Sequence, residues 1–189
     1  MNVLTLCGSL RRNSYNRALL AAAGELAPDG VRLTTFERLR DVPPYDPGED
    51  DAYTPGRIAP EPVQALRSAL REANALLIAT PEYNYSVPGQ LKNAIDWASR
   101  PAGRSPLVGL PTALMGATTG MSGSMRAQYH LRQSFVHTNT PTVLQPEVLC
   151  AFCAAKFDPE GRLTDGKTRE LVGALLAALV DLSRRWPRR

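Results

Sequence analysis

The sequence is poor in the residues that build covalent or metal frameworks: three cysteines and two histidines in 189 residues. An odd count with Cys7 far from Cys150 and Cys153 lays out no disulfide framework. The Cys150-Ala-Phe-Cys153 spacing invites a redox or metal reading, but no second CxxC accompanies it. On a strand-like run, residues i and i+3 face opposite ways, so neither a disulfide nor a chelate is expected there. His130 and His137 have no thiol or carboxylate set around them, and no metal site is expected. No apolar run reaches the roughly 20 residues of a membrane span, so no membrane association is expected. The first residues, Met1 to Cys7, carry no basic segment ahead of an apolar one. No signal peptide and a cytoplasmic location are expected. Aromatics are sparse at 6%, and Trp186 alone among the terminal arginines is thin support, so nucleic-acid binding is not expected. An acidic excess is missing too: the net charge is +4. Part of that excess lies in Arg184, Arg185, Arg188 and Arg189, which read as a frayed, solvated terminus. The positive balance suits anionic small-molecule ligands. Neither G-x-G-x-x-G nor a Walker A sequence is present, which disfavours a Rossmann dinucleotide site and an NTPase.

What is present is a regular alternation. Apolar runs at 2–7, 31–36, 75–80, 112–116 and 142–149 read as strands. Helical spacing of apolar residues places helices near 16–26, 61–73, 88–99, 122–138 and 166–184. Alternating strands and helices imply parallel pairing with right-handed crossovers. The pattern predicts one α/β domain over 1–189, a flavodoxin-like three-layer sandwich. Its five-stranded parallel sheet has order 2-1-3-4-5, with helices on both faces. Residues 41–60 are too rich in Pro, Gly and Asp for regular structure and read as a long loop, the kind that forms lids or contact surfaces. Such sheets bind ligands at the carboxyl ends of their strands. A response-regulator-like domain of similar topology would need acidic residues at the ends of strands one and three, where Cys7-Gly8 and Thr80-Pro81 supply none.

Three loops at that edge carry chemistry. The first, Gly8 to Arg17, joins a strand end to a helix start, where free amides and the helix dipole attract anions. Ser9, Ser14 and Asn16 add neutral donors and Arg11 a guanidinium fork, while Tyr15 stands among them. The plainer alternative is that Ser14 or Asn16 only caps the helix. The second, Pro81, Glu82, Tyr83, Asn84 and Tyr85, offers amides, an amide side chain and aromatic faces. That set suits a flat heteroaromatic ligand. Tyr83 and Tyr85 fit a stacking wall, with ordinary packing as the alternative. The third, Gly116 to Ser124, is glycine-rich and allows close backbone approach, or is merely a flexible turn.

These segments together resemble the NAD(P)H-dependent FMN reductases, including the quinone- and chromate-reducing members. GSLRRNSYN at 8–16, PEYNYSVPGQLKNAIDW at 81–97 and the glycine loop leading to MRAQYHLRQ at 125–133 carry the resemblance. It implies FMN as cofactor and NADPH or NADH as co-substrate. Hydride would pass through flavin N5 to quinones, chromate, azo or nitro compounds or free flavin in a ping-pong cycle. It implies that Ser9, Arg11, Ser14 and Asn16 hold the FMN phosphate and that Pro81, Glu82, Tyr83, Asn84 and Tyr85 border the isoalloxazine. It also puts Gly116, Ala117 and Thr118 at the pyrimidine edge, where loop amides would stabilise negative charge. The Asn84 amide is expected near N5 or O4, and Glu82 is expected to orient its loop or hydrogen-bond to the ring edge rather than act as a base. No protein side chain is expected to be catalytic in itself. Arg11, Arg12 and Arg104 are candidates for the phosphates of the nicotinamide nucleotide. The resemblance further implies a homodimer or homotetramer. Trp97, off the apolar stripe of its helix, reads as exposed in a monomer and covered by a partner. Arg126, Tyr129 and Arg132 share a helix face, with Glu147 as an ionic partner across a second interface. The rival reading is a one-electron flavodoxin-type carrier. Such carriers tend to be acidic, and this chain is basic.

Overall fold

The computed structural model describes residues 1–50, 53–101 and 103–186. Five strands form one parallel sheet: β1 (Asn2–Cys7), β2 (Arg32–Thr35), β3 (Ala75–Ala79), β4 (Thr112–Ala117) and β5 (Val148–Cys150). Their order is β2-β1-β3-β4-β5, as the sequence pattern predicts. Between them run α1 (Tyr15–Glu25), α2 (Glu61–Glu72), α3 (Gly89–Ala98) and α4 (Met125–His137), and α5 (Gly166–Arg185) follows β5.

The inner strands β1, β3 and β4 are buried and largely apolar because both faces of the sheet are covered there, whereas the edge strand β2, Arg32-Leu33-Thr34-Thr35, is only partly buried. Val3, Cys7, Leu77, Ala79 and Met115 face one core with α1 and α5. Leu4, Leu6, Leu76, Ile78 and Leu114 face another with α2, α3 and α4. Each fully buried leucine there contributes about 2 kcal/mol over leaving it in water. Helix starts are marked locally. Ser14 caps α1 by accepting from the Asn16 amide at 3.2 Å, and Asp165 caps α5 by accepting from the Thr168 amide at 2.8 Å. Pro60 and Pro88 precede α2 and α3, where a missing N–H costs nothing.

Four expectations change. The fifth strand is not 142–149 but Val148–Cys150: Thr142 makes only an isolated bridge to Thr112, and Pro146 has no ladder donor to offer. Residues 41–50 are not a free lid. The Pro43 carbonyl accepts from Asn93 Nδ2 at 2.8 Å and from Trp97 Nε1 at 2.9 Å, and buried Asp50 pairs with buried Arg67. Residues 51 and 52 of that loop lie outside the described residues. Trp97 is therefore no exposed interface aromatic. It is 0% exposed, edge-on to Tyr45 at 5.0 Å, under a cover made by its own chain. The basic terminus is helical through Arg185, which pairs with Asp181 and complements the dipole of the last turn. Arg188 and Arg189 lie outside the described residues.

The strand argument about the cysteines also needs amending. The chain turns after Cys150, and Cys153 opens a 3-10 turn, so both thiols enter the core shared with α1 and α5. Both are free and buried, and burial pushes the Cys153 thiol up to about 11, which makes it inert. No cluster of metal-ligating side chains occurs among the described residues. No helix among them is long and apolar enough to cross a membrane.

Candidate functional site

The connection after β1 leads to β2 on one side of the sheet, and that after β3 leads to β4 on the other. A crevice opens between two such diverging loops. Gly8 closes its floor. Its amide donates to the Ala79 carbonyl at 2.8 Å, and a Cβ there would lie 2.9 Å from Leu91 Cδ2 and 3.3 Å from Pro81 Cδ. Glycine gives the first loop this close approach to the second with no side chain pressing on Leu91.

At the first loop, the amides of Arg12, Asn13 and Tyr15 have no intrachain acceptor among the described residues. They stand at the positive end of α1, a ready anion site. Ser9 is buried and accepts from the Arg11 amide at 3.4 Å, and the Arg11 guanidinium rests 5.4 Å from the Tyr15 ring centroid. Tyr15 packs on Phe157 at 5.3 Å. A groove of about 1150 Å³ continues from this loop, between α1 and residues 157–161, with Arg11, Arg12 and Arg17 on its wall. Asn16 does not point to an anion. Its side chain donates to the Ala117 carbonyl at 3.0 Å and accepts from the Ala117 amide at 2.9 Å, tying the first loop to the end of β4. A buried amide takes such a pair of backbone partners because leaving it unpaired is costly.

The second loop is a tight turn. Tyr83 and Ser86 exchange both backbone hydrogen bonds at 3.0 Å, with Asn84 and Tyr85 between them at φ 48° and 66°. Asparagine tolerates that left-handed backbone, whereas tyrosine rarely adopts it. Pro81 is buried, and Tyr83 and Tyr85 are exposed. The amides of Glu82, Asn84 and Tyr85, and the side chain of Asn84, have no intrachain partner among the described residues. The partner of Glu82 is Arg126 at the start of α4. Arg126 Nε donates to Glu82 Oε1 at 2.6 Å and the Arg126 amide to Oε2 at 2.9 Å. Burial pushes the Glu82 carboxyl up, but the side chain and amide of Arg126 outweigh it and hold it below the ordinary carboxylate range. The Arg126 guanidinium also covers the Tyr85 ring at 3.6 Å, and Ser86 Oγ meets His130 Nδ1 at 2.9 Å. The pairing of Glu82 with Arg126 spans 44 residues and leaves no local signal in the sequence.

The third loop starts later than its glycine suggests. Gly116 and Ala117 belong to β4, paired with Leu149 and Cys150. The Ala117 amide goes to Asn16 and the Thr118 amide to the Cys150 carbonyl at 3.0 Å. Gly116, Ala117 and Thr118 thus spend their polar backbone on the fold. The free donors lie just beyond: the amides of Thr119, Gly120, Met121 and Ser122 have no intrachain acceptor among the described residues.

One residue lies away from its expected role: Arg104 lies between α3 and β4, at the opposite end of the sheet from the three loops. Within the chain Arg126 pairs with Glu82, and Glu147 lies beside Tyr129 and Arg132. Tyr129 stays exposed on α4.

Residues 1–154 match the sequence profile of a family described as NADPH-dependent FMN reductase. The chain is 45% identical over 179 residues to a NAD(P)H-dependent FMN reductase of Pseudomonas aeruginosa, covering 95% of this chain and 93% of that one. It is 37% identical to a quinone reductase of Escherichia coli, covering 94% and 93%. Among solved structures, a flavoenzyme NAD(P)H:(acceptor) oxidoreductase from Paracoccus denitrificans superposes with a TM-score of 0.85 at 33% identity, covering 98% of both chains. A flavodoxin from Pseudomonas aeruginosa shares the fold alone, at a TM-score of 0.60 and 17% identity over 95% of this chain and 99% of that one.

Proposed function

The chain belongs to the NADPH-dependent FMN reductase family, and from that premise we propose that it carries FMN in the crevice and passes electrons from NADPH or NADH to quinones and other small acceptors. The observation that carries this reading is the meeting, at one switch point, of two sets of unpaired donors: the amides at the start of α1 and the Asn84 turn. Both sets fit FMN, an anion joined to a flat ring with polar edges. When bound, FMN supplies the two-electron chemistry between nicotinamide and acceptor.

The protein's own groups then have separate tasks. The amides of Arg12, Asn13 and Tyr15 receive the phosphate, with Ser9 and Ser14 beside them and Arg11 as the cation. Asn16 holds that loop to β4 rather than touching the phosphate. Pro81, Glu82, Tyr83, Asn84 and Tyr85 would border the ring, and the free amide side chain of Asn84 would donate to its N5–O4 edge. The free amides of Thr119 to Ser122, rather than the engaged backbone of Gly116 to Thr118, would stabilise negative charge at the pyrimidine edge. Tyr83 and Tyr85 are exposed, and a flavin held beside them would be reached by nicotinamide and acceptor in turn, as a ping-pong cycle requires. Quinones, chromate, azo and nitro compounds and free flavin are the acceptors such an exposed site admits. Arg11 and Arg12 on the groove wall are placed for the phosphates of the nicotinamide nucleotide, and Arg104 is not. The reading includes a cytoplasmic location, where NAD(P)H is supplied, and assembly as a homodimer or homotetramer with Tyr129 and Glu147 at an interface.

The test is anaerobic stopped-flow absorbance of the FMN-loaded protein mixed with NADPH, then NADH. Rapid loss of the flavin band near ~450 nm is expected and ranks the donors. Tight FMN binding without bleaching would instead make the protein an electron carrier of the flavodoxin type, and no FMN binding would overturn the site.

A further inference from the structure

The contact between the Asn84 turn and α4 is charged, and it is concentrated in one residue. Glu82 is the one acidic side chain between Thr80 and Pro88, and it is 5% exposed. Its two oxygens are taken by the guanidinium and the amide of Arg126. The same guanidinium lies 3.6 Å from the centroid of the Tyr85 ring. Arg126 therefore grips the residues on both sides of Asn84, in a turn whose two central residues sit at φ 48° and 66°. Tyrosine rarely adopts that backbone, so the grip of Arg126 adds to the turn's own two hydrogen bonds in holding it.

The pair is also a balance of charge. A buried carboxylate with one cationic partner is close to neutral to its surroundings, whereas the same carboxylate alone is an uncompensated charge in low dielectric. Two electrons and one proton entering a flavin add one negative charge to it. An unpaired carboxylate in the bordering loop opposes that addition, and an unpaired guanidinium favours it.

We infer that Arg126 is the positioning residue of the turn that borders the flavin, and that the balance between Glu82 and Arg126 sets the reduction potential of the flavin held there. The inference rests on the FMN reading proposed above. It assigns to an intrachain contact a residue whose place on the α4 face reads, in the sequence, as part of an interface.

The test uses R126M, E82Q and the double variant E82Q/R126M, each loaded with FMN. The potential is measured against redox dyes, and FMN affinity by quenching of flavin fluorescence. R126M is expected to shift the two-electron equilibrium at least tenfold toward oxidised flavin, about 30 mV, and to weaken FMN binding about tenfold. E82Q is expected to shift the equilibrium the other way. The double variant is expected to return to within about threefold of the parent chain's equilibrium, while its affinity stays reduced because the Tyr85 contact is still missing. A brace without an electrostatic role would lower affinity alike in R126M and the double variant and leave every potential in place, which would overturn the inference. If R126M does not fold, R126K and E82Q decide. R126K keeps the charge and loses the fork. A parent-like potential in R126K with a positive shift in E82Q supports the inference, and shifts of the same sign and size in both overturn it. A parent chain that fails to bind FMN overturns the proposed function as well. A parent chain that binds FMN with a potential no variant moves overturns this inference alone.

Discussion

Gly116 has room for no side chain. A Cβ there would lie 1.8 Å from Ser124 Oγ and 2.3 Å from the Thr80 carbonyl oxygen. The serine can rotate away, but the carbonyl is backbone at the end of β3 and cannot. G116A is therefore expected to lose about 3 kcal/mol in urea unfolding, or to yield insoluble protein, even though alanine is ordinarily benign in a strand. The sequence marked this glycine as a loop residue near a ligand. The physical reason for it is the meeting of β4, the start of α4 and the end of β3, which spacing along the chain does not reveal. Asn16 carries the same lesson: it stands where a phosphate donor is expected, yet both of its polar atoms are bound to Ala117, 101 residues away.

At the scale of elements, α3 matches the extent its periodicity predicts but not the exposure predicted for one of its faces. Leu91, Ala94, Ile95 and Ala98 line the core as their spacing predicts. Trp97 is buried too, because residues 42–50 fold across the helix and bring Pro43 and Tyr45 to it. A stripe calculated against one core surface misses a second surface supplied by a loop. The expected consequence is measurable. In a W186F background, which removes the exposed Trp186, the emission maximum and acrylamide accessibility of Trp97 should not change between nanomolar and micromolar protein. A red shift on dilution would mean that a partner, and not the chain itself, covers Trp97. W97A should cost about 3–5 kcal/mol, since it empties a fully buried aromatic site.

For the whole molecule, charge matters most at one edge. The net charge is +4, and Arg11 and Arg12 stand on the groove that runs from the start of α1. Exposed charges of this kind attract an anionic substrate over distances of about 10 Å at 0.1 M salt. On the proposed function, KM for NADPH should rise severalfold between roughly 20 mM and 300 mM salt while kcat moves little. Combining R11Q with R12Q should flatten that dependence. An unchanged salt dependence in the double variant would move nucleotide recognition away from the groove.

The sequence by itself determined the layered α/β sheet, its strand order and the three loops that could meet at its edge, because hydrophobic periodicity and turn residues act over a few neighbours. It also carried the family in the PEYNYSVPGQLKNAIDW segment, which the comparisons bear out. Only the tertiary structure decided which donors remain free: Asn16 and the amides of Ala117 and Thr118 are used up within the fold, while those of Thr119 to Ser122 are not. It also decided that Glu82 belongs to Arg126 and that Trp97 needs no partner. Each of these depends on hydrogen bonds and packing between residues far apart in the chain, and such contacts exist only once the strands have set the loops side by side.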